Sequence, residues 1–417
     1  MKLLLAVLLV AGTSAYGSTL VVNNNGANTS SPCKTASFST ISSAVTAASA
    51  GDTVEVCPGT YPEAVYINKA NLKLTGLTVN GSSLVELRPT AGITTTDVNP
   101  SAENPNENVI LLVDSVSGVA ITGISVSGSQ ATTTCGSGNA GIYFRNASGS
   151  VTNSAVSYIG LNSDGTVTGC QEGIGVYVDS HGGTASLTIT GSSVHDYDKA
   201  GIVADESGTT LVATGNTVTG AGPTTATAQN GIEVDDGAKG TVNNNVISAN
   251  DYTPNSSAGT SILFYQSASG GQANDNIISE TNNGIFFYQA NSGTANGNNI
   301  SKVYNYDGIA TFQSNSDTIE KNTITRSGLE VPENGAIYIC GSKTKVESNN
   351  LNEAPFGVYD DRTSADGCSG ASGNTTSLNL YHNVGDDAVI VTNSPSPLLA
   401  RANRTEQSMV PKVSPTR

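Results

Sequence analysis

The 417-residue sequence has no tryptophan, two methionines, seven phenylalanines and only 12% charged residues. Soluble domains usually carry about 25% charged residues, so this surface takes its polarity from Asn, Ser, Thr and Gly. Basic residues are scarce: 18 Lys and Arg against 34 Asp and Glu leave a net charge of −16. Nucleic-acid binding rests on clustered Lys and Arg, and anionic membrane surfaces attract the same residues. The composition argues against both partners. It leaves acidic polysaccharides open, because Ca²⁺ bridges anions. His181, His195 and His382 are the only histidines and no C-x-x-C occurs, so a structural zinc site is not expected. Long 3.6-residue periodicities are missing while Val, Ile, Thr, Asn and Gly abound, which disfavours a helical protein. Beyond the N-terminus no apolar run is long enough to span a bilayer.

Residues 1–15 read MKLLLAVLLVAGTSA, one Lys before a short apolar run that ends in small residues. That pattern is expected of a secretory signal peptide over residues 1–17, which puts the remainder outside the cell or in a periplasm. Six cysteines in an exported chain imply disulfides. They fall into the sequence-local pairs Cys33/Cys57, Cys135/Cys170 and Cys340/Cys368, each separated by about one repeat of the kind described next.

Short Gly-led strands recur at Gly141, Gly173, Gly201, Gly231, Gly284, Gly308, Gly335 and Gly357, with Ser261–Phe264 filling the one gap. Their spacing is 22 to 32 residues. Between them runs a second motif, Asn216-Thr-Val, Asn245-Val-Ile, Asn276-Ile-Ile, Asn299-Ile and Asn322-Thr-Ile. A unit of two or three short strands cannot bury an apolar face alone. Stacked units close a core and set each strand ~4.8 Å from its copies. Asn at equal positions stacks as an amide ladder. Propeller blades need longer repeats, ~40–50 residues. The expected fold is all-β, a parallel β-helix over residues 18–392 with its N-terminal cap near 33–57. Residues 393–417 lose the pattern and read as a disordered tail, and residues 88–108 as a loop insertion.

Phe38, Ile41, Ala44, Val45 and Ala48 are spaced for one short amphipathic helix, followed by Gly51-Asp52-Thr53-Val54 and Pro58-Gly59-Thr60-Tyr61. This block resembles the opening of the pectin lyase-like right-handed parallel β-helix superfamily, in which a helix caps the first coil. The resemblance extends over roughly residues 20–390. It implies a single-stranded right-handed solenoid. The superfamily holds lyases, hydrolases, esterases, epimerases and non-enzymes, so it fixes no reaction. The chain has neither the Asp-Phe-Ile-Phe-Gly of pectin methylesterases nor the Asp-Pro-His of alginate epimerases.

Alternation along each Gly-led strand sorts its side chains. Positions one and three after the Gly are apolar and expected inside; positions two and four are expected in solvent. Position four reads Arg145, Tyr177, Asp205, Asp235, Tyr265, Tyr288 and Phe312, and position two includes Tyr143 and Glu233. Asp205, Glu233 and Asp235 therefore share one outer face, at separations that suit paired catalytic carboxylates or a Ca²⁺ site with Asp205 and Asp235 as ligands. Tyr143, Tyr177, Tyr265 and Tyr288 suit sugar faces. Lys199, just before the Gly201 strand, is a candidate base for β-elimination, and Arg145 a counter-charge to a uronate. The bland alternatives are solvated carboxylates and ordinary sheet-surface packing; His195 and the segment Asp360-Asp361-Arg362 read as turn, loop or cap residues. Two functions follow: an exported β-helix that binds or degrades an acidic polysaccharide, as a lyase or glycoside hydrolase, or a non-catalytic surface or adhesin-like protein. Oligomeric state is not legible.

Overall fold

The computed structural model describes residues 17–24, 30–78, 84–96, 106–131, 135, 138–253, 257–328, 334–363, 367–368 and 370–391. Residues 1–16 of the expected signal peptide and the whole of the expected tail, 393–417, lie outside them. Three strands per coil stack into three sheets. The first runs through 13 strands, from Thr19–Val22 to Thr375–Ser377; the second through 12, from Gly59–Tyr61 to Leu380–His382; the third through 12, from Val65–Ile67 to Asp386–Val391, with Ile93–Thr96 beside it as a thirteenth strand. Coil-to-coil pairing is parallel. The antiparallel pair is Ile93–Thr96 with Asn106–Asp114, so the segment expected as a plain loop at 88–108 carries a strand hairpin. Asp386 and Asp387 open the last strand. No helix among the described residues is long and apolar enough to cross a membrane.

In-register pairing builds columns of identical inward positions. On the third sheet Ile142, Val176, Ile202, Ile232, Ile262, Ile285, Ile309 and Ile337 stack in one column, all fully buried. The expected alignment is corrected here. Gly175, not Gly173, matches Gly141 and Gly201, and Val176 takes the inward place assigned to Ile174. Ile174 instead packs with Ala140 and Ala200 on the outer side. Gly173 belongs to the preceding loop, with φ +100°. In the later coil Ala336, not Gly335, follows Gly308 in the column. Glycine is needed at this place because neighbouring chains approach closely. A Cβ on Gly201 would lie 2.6 Å from the Gly231 carbonyl oxygen and 2.6 Å from Val218 Cγ1.

The Asn motif forms a buried ladder at the corner between the first and second sheets. Asn216, Asn245, Asn276, Asn298, Asn322, Asn349 and Asn379 stand one above another. Asn276 shows the pattern: its Nδ2 donates to Asn298 Oδ1 (3.0 Å) and to the Val242 carbonyl (2.9 Å), while its Oδ1 accepts from the backbone N and Nδ2 of Asn245. The amide suits this role because it is donor and acceptor at once. Asn298, not Asn299, holds the place in its coil; Asn299 is exposed. At the opposite corner, between the second and third sheets, Asp196, Ala249, Glu280, Lys302, Arg326 and Glu353 all take left-handed backbone, with φ between 53° and 60°.

The cap explains the opening motif. The helix is Ile41–Ala47, with Phe38 outside it pairing with Val22. Thr40 caps the helix, and Glu63 accepts from the N–H groups of Ile41 (2.7 Å) and Ser42 (2.9 Å). A carboxylate there satisfies donors that a helix start leaves unpaired. Asp52 accepts from Ser18 and Ser49, and the buried Tyr61 hydroxyl donates to the Cys57 carbonyl at 2.8 Å. The disulfides Cys33–Cys57, Cys135–Cys170 and Cys340–Cys368 are all formed.

The ladder yields a stability prediction. Asn276→Ala orphans buried partners and should cost about 2 kcal/mol. Asn315→Ala, in the exposed Asn291–Asn315 pair, should stay within about 0.5 kcal/mol. Guanidinium unfolding midpoints of the two variants check this.

Candidate functional site

The outer face of the third sheet carries two columns of interest. One holds Asp114, Arg145, Asp179, Asp205 and Asp235, then Tyr265, Tyr288 and Phe312; the other holds Tyr143, Tyr177, Val203, Glu233, Leu263 and Phe286. The side chains point away from the core yet are not solvent-facing. Tyr143 and Tyr177 are 2% exposed, Asp235 4% and Glu233 0%. Two loops, 160–173 and 220–229, bond to the residues that lead into the strand Ala200–Asp205. The Thr168 N–H donates to Asp198 at 2.6 Å, Gln229 Nε2 to the Tyr197 carbonyl and Lys199 Nζ to the Ala228 carbonyl at 2.8 Å.

Tyrosine and aspartate are coupled along a diagonal. The hydroxyl of Tyr143 donates to Asp179 in the next coil (2.7 Å), Tyr177 to Asp205 (3.0 Å), Tyr66 to Asp114 (3.1 Å) and Tyr338 to Asp361 (3.0 Å). Tyr143 and Tyr177 also stack on each other, with centroids 4.7 Å apart. These two rings, expected as sugar-binding surfaces, are instead buried and position carboxylates. Arg145 likewise is committed: it forks onto Asp114 at 3.1 and 3.0 Å, which holds that carboxyl below its usual range despite burial. Tyr265, Tyr288 and Phe312 stack at 4.7 and 5.3 Å. They pack with Leu263, Phe286 and the Cys340–Cys368 disulfide as a closed apolar cluster, not an open platform. Asp360 and Asp361 end a strand rather than a loop, with Arg362 folded back on Asp360.

Lys199 and Glu233, expected at the surface, are fully buried. Burial pushes the lysine down and the glutamate up, and each opposes the shift of the other. Glu233 Oε2 accepts from Asn230 at 2.9 Å while Oε1 has no hydrogen-bond partner. An unshielded base must reach its substrate; neither group does in this conformation.

The remaining carboxylates converge. Asp205, Asp235 and Asp236 each place an oxygen within 4.8 Å of the others. Asp205 is half-buried, Asp235 buried and Asp236 exposed, so the cluster opens to solvent on one side. Backbone N–H groups fix two of them: Glu206 donates to Asp205 at 2.6 Å and Asp236 to Asp235 at 2.7 Å. Among the described residues no salt bridge reaches any of the three. Desolvation and then the neighbouring carboxylates, Asp236 foremost, raise Asp205 to about 6. Desolvation, Glu233 and Asp205 raise Asp235 well above the usual range. Asp179, buried one coil below Asp205, rises to about 8. Asp236 and Glu206 were missed in the sequence, although Asp205-Glu206 and Asp235-Asp236 are acidic doublets at one repeat position. Asp179 was hidden by the Gly173 misalignment, which put Tyr177 in its place.

These shifts give stability a pH slope. Between pH 4 and 8 the folded state holds protons on Asp179 and Asp205 that the unfolded chain has released, so stability is greatest at the acid end and falls as pH rises. In EDTA the melting temperature should be lower at pH 8 than at pH 5. Asp179→Asn should raise it at pH 8 and flatten the slope. A profile identical to that of the unmutated chain would contradict the assignment.

Comparisons with known proteins bear on the fold. A family model described as a right handed beta helix region matches residues 225–369. No curated protein matches. Among solved structures, the GH136 lacto-N-biosidase from Eubacterium ramulus is similar over 90% of this chain and 68% of its own, with 9% identity and a TM-score of 0.51. The mannuronan C-5 epimerase AlgE4 A-module of Azotobacter vinelandii is similar over 85% and 94%, with 12% identity and a TM-score of 0.45. The periplasmic alginate epimerase AlgG is similar over 82% and 77%, with 11% identity and a TM-score of 0.44. The three parallel sheets, the family-model match and the similarity to the lacto-N-biosidase show the fold: the chain is a right-handed parallel β-helix.

Proposed function

We propose that this protein is an exported glycan-binding β-helix that holds Ca²⁺ between Asp205, Asp235 and Asp236 and engages an acidic polysaccharide through it. The observation that carries the reading is the convergence of three carboxylates within 4.8 Å with no salt bridge among the described residues. Like charges that close demand protons or a cation. Ca²⁺ takes six to eight oxygens in flexible geometry. Three carboxylates leave further places for water and for a uronate carboxylate or hydroxyl, and the exposed side at Asp236 is where a chain would approach. Tyr177 and the two backbone N–H groups hold the ligands in place before the ion arrives. The fold alone fixes no reaction, and Arg145 and Lys199, both committed to partners within the molecule, are not assigned to substrate.

A second reading has one observation in its favour. Burial and the neighbouring carboxylates raise Asp205 to about 6 and Asp235 well above its usual range, the direction a general acid beside a partner carboxylate requires. At roughly 5 Å, paired carboxyls suit retaining glycoside hydrolysis.

Calcium and proton compete for the same oxygens, so Ca²⁺ affinity should rise from pH 5 to pH 8. Calorimetric titration of the whole protein should give saturable Ca²⁺ binding, weakened about tenfold or more in Asp205→Asn with Asp235→Asn. A glycan array should show retention of uronate-containing chains that EDTA abolishes. Binding without product supports the adhesin-like form of the proposal. Depolymerisation that survives EDTA and is lost in the double variant supports the hydrolase. Unchanged Ca²⁺ and glycan binding in the double variant removes this site from both.

A further inference from the structure

At the opposite end of the third-sheet strands, where the second sheet turns into the third, a cavity of about 530 Å³ opens beside Tyr158. It lies within the ~300–1,000 Å³ typical of small-ligand sites. Its lining includes Gln130, Leu161, Asn162 and Asp164. We propose that this cavity is a separate saccharide site that takes a neutral sugar, with the ring of Tyr158 as its platform.

Tyr158 has φ +58° and stands at the corner where other coils place Asp196, Ala249, Glu280, Lys302, Arg326 or Glu353. The left-handed angle belongs to the corner, since it recurs in those coils; what sets this coil apart is the side chain. Tyr158 is the one aromatic residue among them, and it is 41% exposed although large. The His195 ring of the next coil meets it edge-on at 6.5 Å and is itself held by Asp196 at 2.7 Å. The platform therefore has a supported edge and an accessible surface. A flat apolar face with a polar rim fits the C–H face of a pyranose.

The polar groups around it are held in place as well. Asp164 accepts from the backbone N–H of Thr166 (3.0 Å) and from its hydroxyl (2.6 Å). Asn162 donates to that hydroxyl at 3.0 Å. The Asp164 carboxyl is held below the usual range by these bonds, so it is ionised and accepts hydroxyl donors. No Lys or Arg is among the lining residues. A uronate, phosphate or sulfate would meet a carboxylate and no counter-charge. Vicinal hydroxyls, in contrast, find a carboxylate and two amides, from Gln130 and Asn162, with Leu161 beside them. This set discriminates against the acidic chains proposed for the calcium cluster, and the two sites stand on different observations.

The test uses the full chain in EDTA, which silences the calcium cluster, and neutral hexasaccharides of glucose, mannose, xylose and galactose as probes. Saturation-transfer NMR and calorimetry should show at least one binding saturably. Tyr158→Asn removes the ring while suiting the left-handed backbone, and it should weaken that binding about tenfold or more. Tyr158→Phe should retain it, Asp164→Asn should weaken it, and Asp205→Asn with Asp235→Asn should leave it unchanged. The proposal is overturned if none of the four probes binds, or if binding is indifferent to Tyr158→Asn while the variant melts like the unmutated chain.

Discussion

Parallel in-register stacking makes every side chain the neighbour of its own counterpart one coil away. Each residue type must then tolerate its like at about 4.8 Å. Aliphatic side chains pack, and rings stack, as Phe264 and Phe287 do at 4.9 Å inside and Tyr265 and Tyr288 do at 4.7 Å outside. Amides are self-complementary, which is why seven asparagines build one continuous ladder, six of them buried. Carboxylates alone have no favourable arrangement with their own kind.

The acidic column shows how the chain deals with that conflict coil by coil. Asp114 has Arg145 above it. Asp179 and Asp205 each receive a tyrosine hydroxyl from the preceding coil, and burial pushes Asp179 up to about 8. At Asp235 these devices end: the next member of the column is Tyr265, and the tyrosine column has given way to Val203 and Glu233. Acidity is concentrated where side-chain donors run out. Desolvation makes an unpaired charge there costly, and a divalent cation relieves the repulsion where a proton otherwise would. The calcium proposal follows from this local imbalance rather than from any resemblance.

The repeat made the architecture legible because glycine, the inward aliphatics and asparagine each answer a constraint that recurs in every coil. Even single errors were local. Gly173 stood two residues before the true match, Gly175, and Asn299 one after Asn298, since adjacent identical residues leave the alignment ambiguous. The faces were legible; their burial was not. Alternation sends Glu233 and Tyr143 outward, but it contains nothing about how far that outer face is buried. Lys199 looked like a free base for the same reason. The Tyr158 cavity was also invisible, because a corner residue's backbone angle and the loop it faces are set by tertiary packing.

The account stands most directly on whether a cation occupies the outer face of the third sheet. Crystals of the whole protein soaked in Ca²⁺, or in Tb³⁺ as its anomalous substitute, provide the measurement. An anomalous peak within coordination distance, about 2.3–2.6 Å for calcium, of oxygens from Asp205, Asp235 and Asp236 is the predicted result. Saturating metal with no peak there, and carboxylates left in their present positions, would contradict it.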